Sequence, residues 1–198
     1  TSYLSNRVIY CHRNNINDLN QNLKKISSNW NKTKFFNAKK LEQQRRYQSF
    51  DSTEFSLEPD LKESPGCLRD FQTALWVLEH CFEIEKLEDC IKIKLFKKME
   101  IKNVKKSYDH IKSLRYILNL NNHSNRISFE NQLLLAKKSK LKSSKKSSAV
   151  EKFMRAFFLH ASNLSDFNEL VFQAYEDQLT ILKRSYSRDF YIFKDRLG

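Results

Sequence analysis

The sequence predicts an all-α fold: a multi-helix bundle with one long C-terminal helix and a single Pro-Gly turn. Three observations predict it. Only two glycines and two prolines occur in 198 residues, so turn-forming residues are nearly missing from most of the chain. Three of those four, Pro59, Pro65 and Gly66, fall in one stretch between Glu58 and Asp70. Elsewhere apolar residues recur at three- and four-residue spacing, the period of a helix with one buried face.

Taken in order, Asn17 to Asn29 is expected as a helix with Leu19, Leu23 and Ile26 on one stripe. Phe35 to Phe50 is a second, with a narrow apolar edge of Phe35, Ala38 and Leu41 among Lys39, Lys40, Glu42, Arg45 and Arg46. Asp51 to Cys67 is the turn region, because each proline disfavours helix at the residue before it. Leu68 to Phe82 is the clearest helix, with Leu68, Phe71, Leu75, Leu78 and Phe82 on its buried face. Asp70 lies in its first turn, where a negative charge complements the helix N-terminus.

Glu88 to Met99 and Asn103 to Asn119 are expected as two further helices, the second with a stripe of Val104, Tyr108, Ile111, Leu114 and Leu118. Ile127 to Lys138 follows, entered through Asn125 and Arg126. Ser139 to Ser148 reads as a Lys/Ser loop of low complexity. Ala149 to about Leu182 is one long helix or two abutting ones. Its seam of Val150, Met154, Phe157, Ala161, Leu164, Val171 and Tyr175 is interrupted by Asn168. Phe190 to Phe193 alternates as a short terminal strand would.

Composition narrows the class. Hydrophobic residues at 40% and aromatics at 13% supply a core, which excludes a disordered chain. No apolar run approaches the roughly 20 residues of a membrane-spanning helix. Cys11, Cys67, Cys81 and Cys90 form no C-x-x-C pair, the pattern of reduced thiols in a cytoplasmic protein. The adjacent pairs Cys11-His12 and His80-Cys81 point to different faces of a helix, so no metal site is expected. A formal charge of +13 attracts polyanions. Lysine is abundant throughout, however, and a solvated lysine surface is the default. A nucleic-acid-binding module is the competing expectation, although no motif places a recognition helix.

Glycine-dependent catalytic motifs are excluded, since one internal glycine builds neither a phosphate-binding loop nor a nucleophile elbow. Two alternating-acid strings occur, Glu58-Pro59-Asp60 and Glu83-Ile84-Glu85. Such strings hold two magnesium ions in nucleotidyl transfer, but the glycine-serine turn that seats a triphosphate precedes neither. The five histidines show no nucleophile–base spacing, and His160 is expected as a structural residue on an apolar helix face. No catalytic residue is assigned.

The turn carries a resemblance. Leu57-Glu58-Pro59-Asp60, Lys62, Pro65-Gly66-Cys67-Leu68-Arg69-Asp70, Thr73 and Trp76 resemble the "LEP(N/D)…K-x-x-PGGLRD-x-x-T…W" signature. It belongs to the bifunctional uridylyltransferase/uridylyl-removing enzymes that act on the PII signal protein. Phe36, Ala38-Lys39, Glu42-Gln43 and Arg45 resemble a helix of the same family. So do Leu114-Arg115 with Asn125-Arg126-Ile127, Phe129-Glu130 and Gln132, and Ala149-Val150-Glu151 with Met154 and Phe157-Phe158. Cys67 stands where the family has a second glycine, a penalised choice if the backbone there needs positive φ. Asn119 stands where a histidine is common, and Arg46 replaces another. The related adenylyltransferase of glutamine synthetase carries "GGIRE" at this turn, so Leu68-Arg69-Asp70 favours the uridylyl branch.

The resemblance implies a helical accessory domain at residues 35–183. Residues 1–34 are expected as the end of a nucleotidyltransferase region, and 184–198 as an exit toward a hydrolase domain. It implies a piece of a larger enzyme whose transferase carboxylates lie before Thr1 and whose hydrolase metal ligands lie beyond Gly198. That parent would use magnesium and UTP, with no cofactor in this chain, no membrane, and the PII protein as partner. Lys62, Gly66, Arg69 and Asp70 are the implied substrate or interdomain contacts. Lys62 and Arg69 flank a rigid bend at a helix start, a geometry that suits a phosphate. The alternative is that Arg69 pairs with an acid and locks two domains together.

Overall fold

A computed structural model describes residues 15–28, 30–49, 57–139, 141–144 and 147–186. Seven helices occur among them: α1 (Asn15–Ser28), α2 (Lys32–Ser49), α3 (Leu68–Phe82), α4 (Asp89–Lys92), α5 (Lys98–Asn122), α6 (Phe129–Lys138) and α7 (Ala149–Tyr186). The described residues hold no sheet, only the isolated bridges Asp60–Arg126 and Ser144–Ser147. The all-α expectation holds. Residues 190–193, Cys11, and the side chains of Leu23 and Ile26 lie outside what is described.

α7 is the axis of the bundle. α3, α5 and α6 pack on it, and α2 packs on α3. The α7 seam is Phe153, Phe157, Ala161, Leu164, Phe167, Val171 and Tyr175, all buried. The helix runs unbroken through Asn168. α3 is central rather than one-sided. Asp70, Thr73, Ala74, Trp76 and Val77 are buried together with Leu68, Phe71, Leu78 and Cys81, because α2, α5 and α7 surround it. The expected divisions at 34/35 and 183/184 fall inside α2 and α7.

Three expectations are corrected. The helix expected over Glu88 to Met99 is a single turn, Asp89–Lys92. Lys94 takes a left-handed φ of 59°, and the Cys90 carbonyl accepts from Leu95 and Phe96 N–H. The chain reverses there and buries Phe96. α5 then begins at Lys98 instead of 103, because the Lys97 main-chain N–H donates to Glu100 Oε2 at 2.7 Å and closes the first turn. α6 begins at Phe129, where the Ser128 hydroxyl caps it by accepting from Asn131 N–H.

A fourth correction concerns α2. Its buried face is Phe35, Phe36 and Lys39, whereas Ala38 and Leu41 are exposed. Polar contacts turn the helix. Lys39 Nζ sits 4.5 Å from the Trp76 ring centroid and pairs with Glu42 Oε2 at 2.7 Å. A buried ammonium that gains a ring face and a carboxylate offsets its desolvation.

Candidate functional site

The Pro-Gly turn is built by short-range hydrogen bonds before anything else touches it. Asp60 Oδ1 accepts from the Lys62 and Glu63 amides, both at 2.8 Å. Ser64 Oγ accepts from Asp60 N–H at 2.8 Å. The first amides of α3 are satisfied by the same turn: Leu68 N–H donates to Leu61 O and Arg69 N–H to Lys62 O. These are the donors that a helix N-terminus otherwise leaves open.

Gly66 is required twice over. Its φ is +70°, and a Cβ there would meet the Ala161 carbonyl oxygen of α7 at 2.3 Å. The turn therefore rests backbone to backbone on the axis helix. Cys67 has a φ of −100°, extended backbone open to any residue, and its side chain is fully buried. The expected penalty for cysteine at this position does not arise. Burial pushes its thiol pKa well up, helped by Asp70.

The two signature strings face one another across the corner. Ile127 N–H donates to Pro59 O and Leu61 N–H to Asn125 O, each at 2.8 Å. Glu58 Oε1 accepts from Phe129 N–H at 2.9 Å, and its main-chain oxygen accepts from Arg126 Nε at 3.2 Å. Gln132 Nε2 donates to Leu57 O at 2.8 Å. Asn125 Oδ1 accepts from Arg115 Nε at 2.8 Å and from Asn119 Nδ2 at 3.2 Å. Residues read separately along the sequence thus assemble into one corner. Asn119, in the place of a common histidine, anchors the 124–125 loop.

Beneath the corner lies a buried polar hub. Asp70 is fully buried. Its Oδ2 accepts from Gly66 N–H at 2.6 Å and from Tyr47 OH at 2.6 Å, and its Oδ1 accepts from Arg46. Gln43 Nε2 donates to Tyr47 OH and to Asn168 Oδ1, and Asn168 Nδ2 donates to Asp70 O. Burial, and then the Asp70 carboxylate, push the Tyr47 phenol pKa up, so Tyr47 stays a donor to Asp70. Asp70 ties α2 and the turn to α3 through its carboxylate, and α7 through its main-chain oxygen.

The four residues singled out from the sequence divide into two pairs. Gly66 and Asp70 are buried and face the bundle. Lys62 and Arg69 reach the surface and share Glu63 Oε1, each at 3.2 Å. Arg69 also donates to Gln72 Oε1 at 3.2 Å. Burial pulls the Glu63 carboxyl pKa upward, but the Arg69 and Lys62 cations outweigh it and hold it below its ordinary value. The turn therefore presents two cations against one carboxylate, a surface able to accept a further anionic group.

Sequence reasoning missed Tyr47, and it marked Gln43 and Arg45 only as part of the family pattern and Asn168 only as a break in the seam, whereas Gln43 and Asn168 join the hub and Arg46 is the arginine that reaches Asp70. The i, i+3, i+4 spacing of Gln43, Arg46 and Tyr47 was the available signal. His160 Nδ1 lies 3.0 Å from Ser107 Oγ, a nucleophile–base pairing that spacing did not reveal. Ser107 is buried and also accepts from Asn163, so the pair joins α5 to α7 rather than facing a substrate. Among the described residues no three His, Cys, Asp or Glu side chains converge where they could hold a metal ion together. No described helix is long and apolar enough to cross a membrane.

A groove of about 770 Å³ opens between α3 and α5, lined by Leu68, Phe71, Leu75 and Trp76 on one side and by Tyr108 and Tyr116 on the other. Gln72, Arg115 and Asn119 also line it, so the groove adjoins the corner.

The sequence pattern of the GlnD PII-uridylyltransferase family matches residues 34–172. The chain is 32% identical over 181 residues to a bifunctional uridylyltransferase/uridylyl-removing enzyme of Haemophilus influenzae, covering 90% of this chain and 21% of the relative. It is 31% identical over 165 residues to the enzyme so named in Hydrogenovibrio crunogenus, 80% of this chain and 19% of that one. A Pseudomonas aeruginosa enzyme of that name is 31% identical over 150 residues, 75% and 17% respectively. The chain spans about a fifth of the length of these relatives. No solved structure matches it. With a family pattern that covers well over half of its length and contains both strings of the corner, the chain belongs to the GlnD PII-uridylyltransferase family.

Proposed function

We propose that this chain carries, at residues 35–183, the helical accessory domain of a cytoplasmic enzyme that uridylylates and deuridylylates the PII protein. In that enzyme a phenolic oxygen of PII attacks the α-phosphorus of UTP, a new P–O bond forms, and pyrophosphate leaves. Magnesium, held by carboxylates of a neighbouring transferase domain, would serve that step. A hydrolase domain would follow.

The role of these residues is to present an anion-accepting corner at a fixed place. Lys62 and Arg69 share one carboxylate and stand over a turn locked by Asp70. The observation that carries the reading is the convergence of the Leu57–Asp70 and Asn125–Gln132 strings on one corner. A triphosphate oxygen or an acid of the transferase domain is the chemistry it fits. The test is transfer of label from α-labelled UTP to purified PII by the full-length protein. Label on PII that glutamine causes to be removed is expected; no transfer would count against the reading.

The formal charge of +13 favours a second reading, a polyanion-binding module. Its mark is a steep loss of affinity for nucleic acid as salt rises. The transferase reading predicts no such binding at physiological salt.

A further inference from the structure

We propose that Glu63 is a displaceable counter-carboxylate that reserves the corner for phosphate groups rather than carboxylates. This rests on the reading that Lys62 and Arg69 receive an anion. One oxygen, Glu63 Oε1, lies 3.2 Å from both Lys62 Nζ and Arg69 Nη2. A ligand oxygen that engages both cations has to take that position, so the ligand and Glu63 compete for it.

The main chain offers an anion no other hold. The Lys62 and Glu63 N–H groups donate to Asp60 Oδ1, and Gly66 N–H donates to Asp70 Oδ2. Ser64 N–H donates to Asp60 O, Cys67 to Ser64 O, Leu68 to Leu61 O and Arg69 to Lys62 O, while Asp70 and Phe71 both donate to Cys67 O. No amide from Lys62 to Phe71 is left open, so an incoming anion meets side-chain cations only. The same bonds fix the backbone of residues 62, 63 and 69. What moves is the Glu63 side chain, which is 28% exposed and can turn into water. Arg69 keeps its hold on Gln72 Oε1, so its guanidinium stays aimed when Glu63 leaves.

Charge decides what displaces it. Lys62 and Arg69 are both cations and Glu63 is their shared acid, so one positive charge is in excess. An incoming carboxylate exchanges like for like. It gains no more attraction than Glu63 already supplies, and Glu63 acts from within the chain at high effective concentration. A phosphate monoester carries about −1.5 to −2 at neutral pH. It matches both cations at once, and its oxygens suit the paired N–H groups of a guanidinium. Burial alone would raise the Glu63 carboxyl pKa, but Arg69 and then Lys62 hold it below its ordinary value. Glu63 is therefore charged at neutral pH and competes in full. Between the two occupants named above, the phosphates of a nucleotide are favoured over an acid of a neighbouring domain.

The test is calorimetric titration of the full-length protein with inorganic tripolyphosphate. Glu63→Gln and Glu63→Ala should each tighten binding about fivefold, the combined worth of two part-exposed ion pairs. A Glu63 that merely held the turn in shape would give weaker binding when replaced, the opposite sign. Glu130→Gln removes an exposed acid at the start of α6 and changes the net charge equally. It should shift affinity by less than about twofold. Adding Arg69→Ala to Glu63→Gln should abolish the gain, which assigns the effect to the corner and not to another phosphate site of the enzyme. Acetate at equal concentration should not compete. Unchanged or weaker affinity in both Glu63 variants overturns the proposal. So does an equal gain in Glu130→Gln, a gain that survives Arg69→Ala, or competition by acetate. Label transfer from UTP, run on the same preparations, separates the two readings. Tighter binding without transfer removes only the uridylyl function, and transfer without tighter binding removes only the role of Glu63.

Discussion

Asn168, midway along α7, donates through Nδ2 to the main-chain oxygen of Asp70 at 2.9 Å. Its Oδ1 accepts from Gln43 at 2.6 Å. The residue that breaks the apolar seam of α7 is thus the one that fastens α7 to both α2 and the start of α3. Asn168→Leu would restore the seam and yet destabilise the protein by about 2 kcal/mol, because it removes two buried hydrogen bonds, one to the Gln43 amide and one to the Asp70 main-chain oxygen. Urea unfolding measures this. A variant as stable as the parent would show that the hub is replaceable packing.

Asp70 and Arg46 form an ion pair with 0% and 11% of their side chains exposed. Removing one partner of such a pair strands the other, at a cost of about 3–5 kcal/mol. Asp70→Leu is expected to fall in that range. The double variant Arg46→Met with Asp70→Leu should cost less than the two single changes summed. Additive costs in the double-mutant cycle would mean that the pair contributes no coupling.

Gly66 and Cys67 occupy adjacent positions that the family fills with glycine, and the two differ in what they demand. Gly66→Ala adds a methyl against the Ala161 carbonyl at a left-handed φ, so a loss of at least about 2 kcal/mol is expected. Cys67→Gly restores the family residue, but it empties a buried site and should also destabilise, by about 1 kcal/mol. Thermal melting of the two variants checks the contrast. A gain in stability from Cys67→Gly would mean that cysteine strains the turn after all.

His110 sits against His160 between α5 and α7, with ring centroids 4.2 Å apart. Ser107, Asn163 and Lys106 surround the pair. Burial, then His160 and Lys106, push the His110 pKa down to about 4. Burial and Lys106 lower that of His160 as well. A histidine held neutral in the folded state contributes stability that is fully present above its ordinary pKa, about 6.5. That contribution is lost as pH falls from there toward 4. Stability should therefore decline through that window, and His110→Gln should flatten the decline. Equal slopes for parent and variant in urea midpoints between pH 7.5 and pH 4.5 would contradict this.

Much of the bundle is legible in the sequence because helix periodicity survives in α3 and α7, and the scarcity of glycine and proline marks the one turn. Failures occur where short-range chemistry overrides the period. The left-handed Lys94 ends α4 early, although lysine carries no turn signal. Lys39 turns α2 by its contact with Trp76, which a reading of apolar residues alone discards. Cys67 looked costly because its φ is invisible in a sequence. The pairing of Leu57–Leu61 with Asn125–Ile127 rests on one isolated bridge and a few side-chain bonds, too short for any strand pattern. The resemblance marked both strings, but only the fold shows that they are neighbours.

Lys62 and Arg69 decide whether the corner serves the nucleotide. The most direct measurement is the KM for UTP in PII uridylylation by the full-length enzyme carrying Lys62→Ala or Arg69→Ala, taken beside the melting temperature of each variant. A corner that holds a triphosphate oxygen predicts a KM raised by about tenfold, the worth of one charge-assisted contact, with melting temperatures close to the parent's. An unchanged KM in both variants, with Arg69→Ala melting at a lower temperature, would contradict it and make the corner a clamp between domains.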